Sequence, residues 1–511
     1  MWVEVQISFR REINQRARII GYIPMERQKV KTRISKLLDV TRGANDSDRL
    51  RKLITAAQSF DHSDSRAHDR DVKDGAVVLV CSILRSCSPF FIARSKEIQL
   101  CLMILMRLYR CSEERLCASF CTDGATLILD LLELIEINYR LGKKGDAKSL
   151  VLAQHIIGVL CQARAPLSMI KRQEELLSSL VGNILGATGR LVMHLSMKII
   201  ACLSEHSQNK ESMFKAGLLE TILVGSVHMY QPVREESARI IMNLALEYKN
   251  KTDLVQGHNQ YWLDAILALI RDSCVSTKAY AIQALGCVAT IPENKVVLAQ
   301  HKNGAVVDAL LQSASSRVVS SQVSINATKI MANLVTNATA SHISRHPRIL
   351  VILSSLACRD DKLAVAAAMA VKKIATHLRS SDLSHPKLLQ ALNTMSYSRS
   401  TEVLKWTVKA YCEQASFPRD RVKMIAQKGL LTSLTVLSAN ENEFVIKHSR
   451  EVLSALASDV ANAKNIGVEK VLRCVSSTKE CQDALDSCKN QLRYYSPSSV
   501  ALFHFDFSGL F

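Results

Sequence analysis

The sequence has few aromatic residues and no long apolar run. Phe, Trp and Tyr make up only 5% of the 511 residues, so Leu, Ala, Ile and Val must build the hydrophobic core, as in closely packed helices. A helix needs about 20 apolar residues to cross a bilayer, and residues 76–84 are already among the longest apolar segments. The sequence therefore predicts a soluble protein without a transmembrane segment.

Motifs that carry chemistry are also missing. Residues 142–145 contain two Gly and two Lys, but the Gly-x4-Gly-Lys-Ser/Thr spacing of a phosphate-binding loop is absent. Cys-x2-Cys, Gly-x-Ser-x-Gly and dinucleotide-binding patterns are absent as well. His342 and His346 would share one face of a helix, but Pro347 follows directly and no third metal ligand is evident. We therefore predict no enzymatic activity, with no catalytic residue, no metal site and no cofactor.

The amino-terminal residues do not resemble a secretory signal peptide. Residues 1–9 form only a short apolar stretch before Arg10 and Arg11. The 15 Cys are therefore expected to be free thiols in a reducing compartment, where they behave as small apolar side chains. This predicts a cytoplasmic location, a nuclear location, or both.

Acidic residues are fewer than basic ones. The chain has 66 Lys or Arg against 47 Asp or Glu, a net charge of +19, which favours acidic peptides, nucleic acid or anionic lipid as partners. Residues 1–36 alone carry nine Lys or Arg against three Glu. This segment fits an import signal, a mitochondrial presequence, an anchor to anionic surfaces or a solvated basic helix.

The sequence does contain an internal repeat. Residues 198–203 and 239–244 show the same pattern 41 positions apart, and further copies begin at Gln283 and Lys329. One apolar column can be followed through nine copies with a period of about 42 residues: Leu108, Leu160, Leu203, Leu244, Val288, Leu334, Ile374, Cys412 and Leu456. Self-similarity at this period predicts stacked helical units rather than one globular domain.

The repeats resemble those of the armadillo family. The clearest copy, residues 207–246, has an Asn-Lys pair at Asn209, then Gly217 at the end of a short first helix, and Asn-Leu-Ala at residues 243–245, where a longer third helix ends. The resemblance implies an all-α, right-handed superhelical solenoid of about nine three-helix repeats.

The chain is divided accordingly. We assign residues 1–73 to a basic N-terminal segment and leader helix, residues 74–475 to the repeats, and residues 476–511 to a capping helix and a Phe-rich tail. Four of the 12 Phe lie in the last nine residues. This tail fits a docking motif, a lid on the last repeat, a disordered tail or a wrongly predicted end of the coding sequence.

In armadillo proteins, side chains five and one positions before the apolar column point into a concave groove. The corresponding positions here hold ten residues and no carboxylate: Lys198, Cys202, Arg239, Asn243, Gln283, Cys287, Lys329, Asn333, Met369 and Lys373. We expect a peptide-binding groove lined by Lys198, Arg239, Asn243, Gln283, Lys329, Asn333 and Lys373. The amides would bond to the backbone of an extended peptide, and the cations would contact its acidic side chains. A solvated basic face is the alternative.

The resemblance implies a non-enzymatic scaffold or adaptor with a protein partner, holding an extended acidic or polar peptide. A nuclear-transport or chaperone-like adaptor is the alternative. Importin-alpha adaptors, however, carry Trp four positions before the groove Asn, where this chain has Arg239 and Lys329. A nucleic-acid-binding solenoid is a further alternative, although the ten groove positions lack aromatic residues for base stacking.

Overall fold

A computed structural model describes residues 36, 39–40, 46–59, 76–87, 94–109, 125–141, 146–161, 173–186, 189–215, 218–257, 260–316, 321–359, 362–378 and 385–457. Within these residues the chain forms 24 α-helices and no β-strand, so the predicted all-α fold is confirmed. None of the helices in these ranges is both long and apolar enough to span a membrane. Most of the basic N-terminal segment and the Phe-rich tail lie outside the described residues, and the interpretations of both stay predictions.

The helices fall into two compact units, divided between Glu247 and Tyr248. The first unit contains α1 (Asp46–Ser59), α2 (Ala76–Cys87), α3 (Ser95–Tyr109), α4 (Ala125–Leu141), α5 (Ala147–Cys161), α6 (Gln173–Leu185), α7 (Arg190–Glu205), α8 (Ser207–Lys215), α9 (Leu218–Ser226) and α10 (Gln231–Ala245). The second unit contains α11 (Tyr248–Gln256), α12 (Tyr261–Ile270), α13 (Val275–Val288), α14 (Pro292–Gln300), α15 (Ala305–Ser315), α16 (Ser321–Leu334), α17 (Ala340–Arg345), α18 (Ile349–Ala357), α19 (Lys362–His377), α20 (His385–Met395), α21 (Thr401–Ala415), α22 (Pro418–Ala426), α23 (Leu430–Ser438) and α24 (Glu443–Ala457).

The structure shows the three-helix repeat directly. In the first unit, α8 and α9 have 9 residues each and are followed by the longer α10 with 15. In the second unit, α11, α12 and α13 have 9, 10 and 14 residues, and α14, α15 and α16 have 9, 11 and 14. The long third helices of successive repeats pack side by side: α7 packs on α10, and in the second unit the order is α13, α16, α19, α21 and α24.

Proline and glycine mark the helix boundaries. Pro292 and Pro418 open α14 and α22, because a residue without an N–H and with a preset φ is tolerated in the first turn. Gly304 and Gly429 precede α15 and α23, with φ values of 95° and 86°. Glycine reaches this left-handed region without steric strain, so both residues permit the sharp turn from a first helix to a second.

The predicted apolar column is buried, with one correction. When the buried positions of α21 are aligned with those of α10, Gln414 corresponds to Leu244, whereas Cys412 is only half-buried. The side-chain amide of Gln414 donates a hydrogen bond of 2.6 Å to the carbonyl of Ala375 in α19. This bond offsets part of the free energy of burying an amide, so a polar residue can stand in an apolar column.

Candidate functional site

The seven residues predicted to line a groove all lie on third helices. Lys198 is on α7, and Arg239 and Asn243 are on α10, within the first unit. In the second unit, Gln283 lies on α13, Lys329 and Asn333 lie on α16, and Lys373 lies on α19. Positions four apart share one face of a helix, so the residues five and one before the column lie side by side. We call the surface that these positions form on α13, α16, α19 and α21 the third-helix face of the second unit.

Arg239 is engaged by carboxylates of its own unit. Its guanidinium pairs with Glu205 at the end of α7 and with Glu236, one turn earlier in α10, at 3.3 Å. Burial raises the pKa of the Glu236 carboxyl, and the attraction of Arg239 offsets only part of that rise. The ten groove positions contain no carboxylate, but these two reach Arg239 from other positions. The charge of Arg239 is therefore already compensated within the protein.

Asn243 bonds to the preceding third helix instead of facing solvent. Its side chain is 4% exposed, and its amide nitrogen donates to the carbonyl of Ala201 at 3.2 Å and to Ser204 Oγ at 2.9 Å. The same carbonyl accepts from Ser204 Oγ at 2.6 Å, so Asn243, Ser204 and Ala201 form one buried hydrogen-bond network. Asn243 therefore holds α10 against α7, and its nitrogen is occupied in that contact.

Replacing Asn243 with Ala is expected to lower the free energy of unfolding by about 1–2 kcal/mol, because the Ala201 carbonyl and the Ser204 hydroxyl each lose a buried hydrogen bond from the Asn243 amide. Urea unfolding followed by circular dichroism measures the change. Gln283→Ala is the control, since Gln283 is exposed on its third helix and its loss should change stability by less than about 0.5 kcal/mol. Equal effects of the two substitutions would contradict the structural role of Asn243.

Asn333 repeats this contact in the second unit but is more accessible. Its amide nitrogen donates to the carbonyl of Ala289 at 3.0 Å, and its oxygen accepts from the ammonium of Lys295 at 3.1 Å. The side chain is half-buried, and Lys329, one turn earlier, is exposed. The Asn333 amide therefore binds Lys295 and lies one helical turn from Lys329.

A basic cluster lies next to Asn333 and consists of Lys295, Lys372, Lys373 and His377. Burial lowers the pKa of Lys373, and repulsion from Lys295 and Lys372 lowers it further. The pKa of His377 is lowered by burial and by the same repulsion from Lys373 and Lys372. Lys372 pairs with Glu413 of α21 at 3.3 Å. Among the described residues, no carboxylate pairs with Lys373 or with Lys329.

The structure also places residues on the third-helix face that the sequence analysis missed. With Gln414 in the column, Lys409 and Glu413 take the positions five and one before it, and Trp406 lies eight before it on the same face of α21. The ammonium of Lys409 lies 4.9 Å from the ring centre of Trp406 and 5.2 Å from that of Phe444 in α24. The spacing of apolar residues in α21 already places Gln414 in the column. The sequence analysis missed this because it accepted only apolar residues there.

This surface offers ammonium groups, amides and aromatic rings to a ligand. Phe444 stacks on His448 with ring centres 3.8 Å apart, next to Lys409. In the part of the chain that the structure describes, His, Cys, Asp and Glu side chains form no group of three or more that could hold a metal ion. The third-helix face therefore presents groups that can interact through charge, hydrogen bonds and stacking.

Comparisons with known proteins find similar solved structures. The crystal structure of an engineered protein from a structural genomics consortium shares 18% identity at a TM-score of 0.51, over 83% of this chain and 98% of that chain. A computationally designed armadillo repeat protein for modular peptide recognition shares 17% identity at a TM-score of 0.33, over 55% of this chain and 99% of that chain. A structure concerning the interaction between cadherin and beta-catenin shares 13% identity at a TM-score of 0.44, over 90% of each chain.

No protein-family model matches the sequence, and no curated protein matches it either. The similarity to the engineered protein is therefore one of fold. In this structure two short helices and a longer third helix recur in order. The third helices of successive repeats pack on one another within each unit. The chain thus has an all-α fold built from three-helix repeats.

Proposed function

We propose that the protein is a non-enzymatic scaffold or adaptor, acting in the cytoplasm, the nucleus or both, that binds an extended acidic or polar protein segment along the third-helix face of the second unit. The observation that carries this proposal is the set of lysines on neighbouring helices, Lys329, Lys373 and Lys409. The first two have no carboxylate partner among the described residues. Lys373 is half-buried, and the ammonium groups of Lys295 and Lys372 repel it, so an anion of the ligand would stabilise its charge.

The spacing of the helices suits an extended chain. Packed helices lie about 8–10 Å apart, and an extended ligand in the polyproline II conformation advances about 3.1 Å per residue with about three residues per turn, so each third helix corresponds to about three ligand residues and every third side chain lies on one side. Lysines on α16, α19 and α21 would therefore meet acidic side chains at every third position of the ligand. Asn333, which lies beside the basic cluster, can bond to the ligand backbone through a remaining lone pair of its oxygen.

The first unit has a smaller part in this proposal. Arg239 is already paired with Glu205 and Glu236, so a ligand carboxylate would have to compete with two internal ones. Exchanging Arg239 for Glu would also bring three carboxylates together and would disturb folding as well as binding. Lys329 and Lys373 are therefore the better residues for a test of function.

A short fluorescent peptide with Glu at every third position, separated by Ser, serves as the probe. We expect Lys329→Glu combined with Lys373→Glu to weaken its binding to the full chain by about tenfold or more, measured by fluorescence anisotropy, because two attractions become repulsions. Helix content and the urea midpoint should stay unchanged.

The matched control reverses the same charge elsewhere in the second unit. Lys387 and Lys428 are exposed and lie at the start of α20 and just before α23, away from the third helices. Lys387→Glu combined with Lys428→Glu should leave binding nearly unchanged. If both double variants lose affinity equally, the peptide responds to net charge, and the third-helix face is not its site.

A single-stranded nucleic acid is the second candidate ligand, favoured by Lys409 between the rings of Trp406 and Phe444. Aromatic rings beside cations accept stacked bases. Salt separates the two ligands, because binding that neutralises several phosphates weakens by orders of magnitude between low and physiological salt. A single-stranded oligonucleotide that binds more tightly than the Glu peptide and loses affinity this steeply would make nucleic acid the preferred ligand.

A further inference from the structure

The basic cluster beside Asn333 receives one lysine from a first helix. Lys295 lies on α14, which packs against α16, and its ammonium donates to Asn333 Oδ1 at 3.1 Å. Asn333 is itself fixed by the bond from its amide nitrogen to the carbonyl of Ala289 at 3.0 Å. Lys295 forms no ion pair with a carboxylate in the part of the chain that the structure describes. Its ammonium is therefore held at the third-helix face without a compensating charge.

A contact between α19 and the end of α16 shows how these two helices face each other. Nδ1 of His377 in α19 lies 2.5 Å from Oδ1 of Asn337, which follows α16 and lies 40 positions earlier in the sequence. Asn333 and Lys373 are also 40 positions apart, and they lie on the same two packed helices, each immediately before a buried column residue. Lys295 and Lys373 therefore both lie beside Asn333, the first through a bond to it and the second on the neighbouring helix.

Lys329 is the third cation next to Asn333. It lies one turn earlier on α16, so the two residues share one face of that helix, and its side chain is exposed. Another lysine of the basic cluster, Lys372, is already paired with Glu413 at 3.3 Å. Lysines from α14, α16 and α19 thus surround one amide, and among the described residues none of these three has a carboxylate partner.

The charges of this cluster repel one another. Burial lowers the pKa of Lys373, and repulsion from Lys295 and Lys372 lowers it further. Burial also lowers the pKa of His377, Lys373 and Lys372 add to that effect, and Glu413 opposes it. The one carboxylate nearby therefore compensates only part of the positive charge. A ligand group with a single negative charge would compensate one more ammonium, whereas a dianion would compensate two.

We propose that Lys295, Lys329 and Lys373, which surround Asn333, bind the phosphoryl group of a phosphorylated serine or threonine in the ligand segment. This inference rests on the proposed function, because the segment that lies along the third-helix face carries the phosphoryl group. A phosphorylated side chain brings a charge of about −1.5 to −2 at neutral pH and three strong acceptor oxygens, whereas Glu brings one charge and two oxygens. The ammonium groups of the three lysines match the three phosphoryl oxygens.

The test uses the fluorescent Glu peptide in three versions, with Glu, phosphoserine or Ser at its central position. Binding of each version to the full chain is measured by fluorescence anisotropy. We expect the phosphoserine version to bind on the order of tenfold more tightly than the Glu version, and the Ser version to bind most weakly. Equal affinity of the phosphoserine and Glu versions overturns this inference and leaves the proposed function standing, whereas the absence of binding by all three versions overturns both.

Lys295→Gln tests whether the cluster is the site of the phosphoryl group. Gln keeps an amide that can bond to Asn333 but removes the charge, so the affinity for the phosphoserine version should fall by about tenfold. The affinity for the Glu version should change by less than about twofold, because Lys329 and Lys373 suffice to compensate a carboxylate. An unchanged preference for phosphoserine in the Lys295→Gln protein overturns the inference.

Lys251→Gln is the matched control. Lys251 is the fourth residue of α11, as Lys295 is of α14, and its ammonium donates to Thr290 Oγ1 at 3.0 Å. Removing this charge should leave the affinities for the phosphoserine and Glu versions unchanged. If Lys251→Gln and Lys295→Gln weaken phosphoserine binding equally, the phosphoryl group responds to net charge and the inference is overturned. A single-stranded oligonucleotide that displaces the phosphoserine peptide at a lower concentration than the unlabelled peptide does would assign the site to nucleic-acid phosphates instead.

Discussion

Replacing Trp262 with Ala is expected to lower the free energy of unfolding by about 3–5 kcal/mol. Trp262 is 0% exposed in α12 and is among the largest fully buried side chains of the described residues. Its helix packs against α11, α13 and α15, so the cavity left by the indole would lie where several helices of the second unit meet. Circular dichroism during urea unfolding measures the change, because removing a Trp alters the fluorescence signal.

The neighbouring residue provides the control for Trp262. Tyr261 is 56% exposed and begins the same helix, so Tyr261→Ala removes an aromatic ring of similar size without opening a cavity. Its effect on the free energy of unfolding should stay within about 0.5 kcal/mol. If both substitutions destabilise the protein equally, the loss reflects weaker helix formation in α12 rather than packing of the indole.

Replacing Gly225 with Val is expected to destabilise the first unit by on the order of 3 kcal/mol. Gly225 lies in the last turn of α9, where a Cβ would collide with Ser237 Oγ of α10 and come within 2.9 Å of Met197 Cε of α7. Met197 can move its flexible end, but Ser237 is buried and bonded to the carbonyl of Val233 at 2.8 Å. α9 would have to move away from α7 and α10, so the urea midpoint of the Gly225→Val protein should fall.

Gly182 is the matched position for this test. It lies in α6, and a Cβ there would meet no atom within 4 Å. Gly182→Val should therefore change stability by no more than about 0.5 kcal/mol, because only helix propensity is affected. A similar loss at both positions would show that valine disfavours these helices locally and that the close contact at Gly225 has little effect.

The repeat architecture could be predicted because its signals lie within each repeat and recur in many repeats. A helix turns through the same angle at each residue, so the core positions recur at a regular spacing that is visible in the order of residues alone. The glycines that precede second helices, such as Gly304 and Gly429, and the prolines that open first helices are further local signals. Their effect depends on backbone angles and not on distant partners.

The candidate surface could be predicted only in part. The third-helix positions of Lys329 and Lys373 follow from the column, and the structure places both lysines on the expected helices. The column in α21 was assigned two residues early because Gln414 is polar, and this hid Lys409 and its aromatic neighbours. A glutamine joins the core when a neighbouring helix offers a carbonyl, and the sequence of one repeat does not show that carbonyl.

The sequence by itself therefore determined the helical repeat, its period and which helix of each repeat carries the basic side chains. Only the tertiary structure decided which of those side chains remain available. Arg239 and Asn243 look equivalent to Lys329 and Asn333 in the sequence, yet Arg239 is paired with Glu205 of α7, and Asn243 is buried against Ala201 of the same helix. Residues 34 and 42 positions apart meet only when repeats stack, so the state of a charge or an amide depends on the neighbouring repeat.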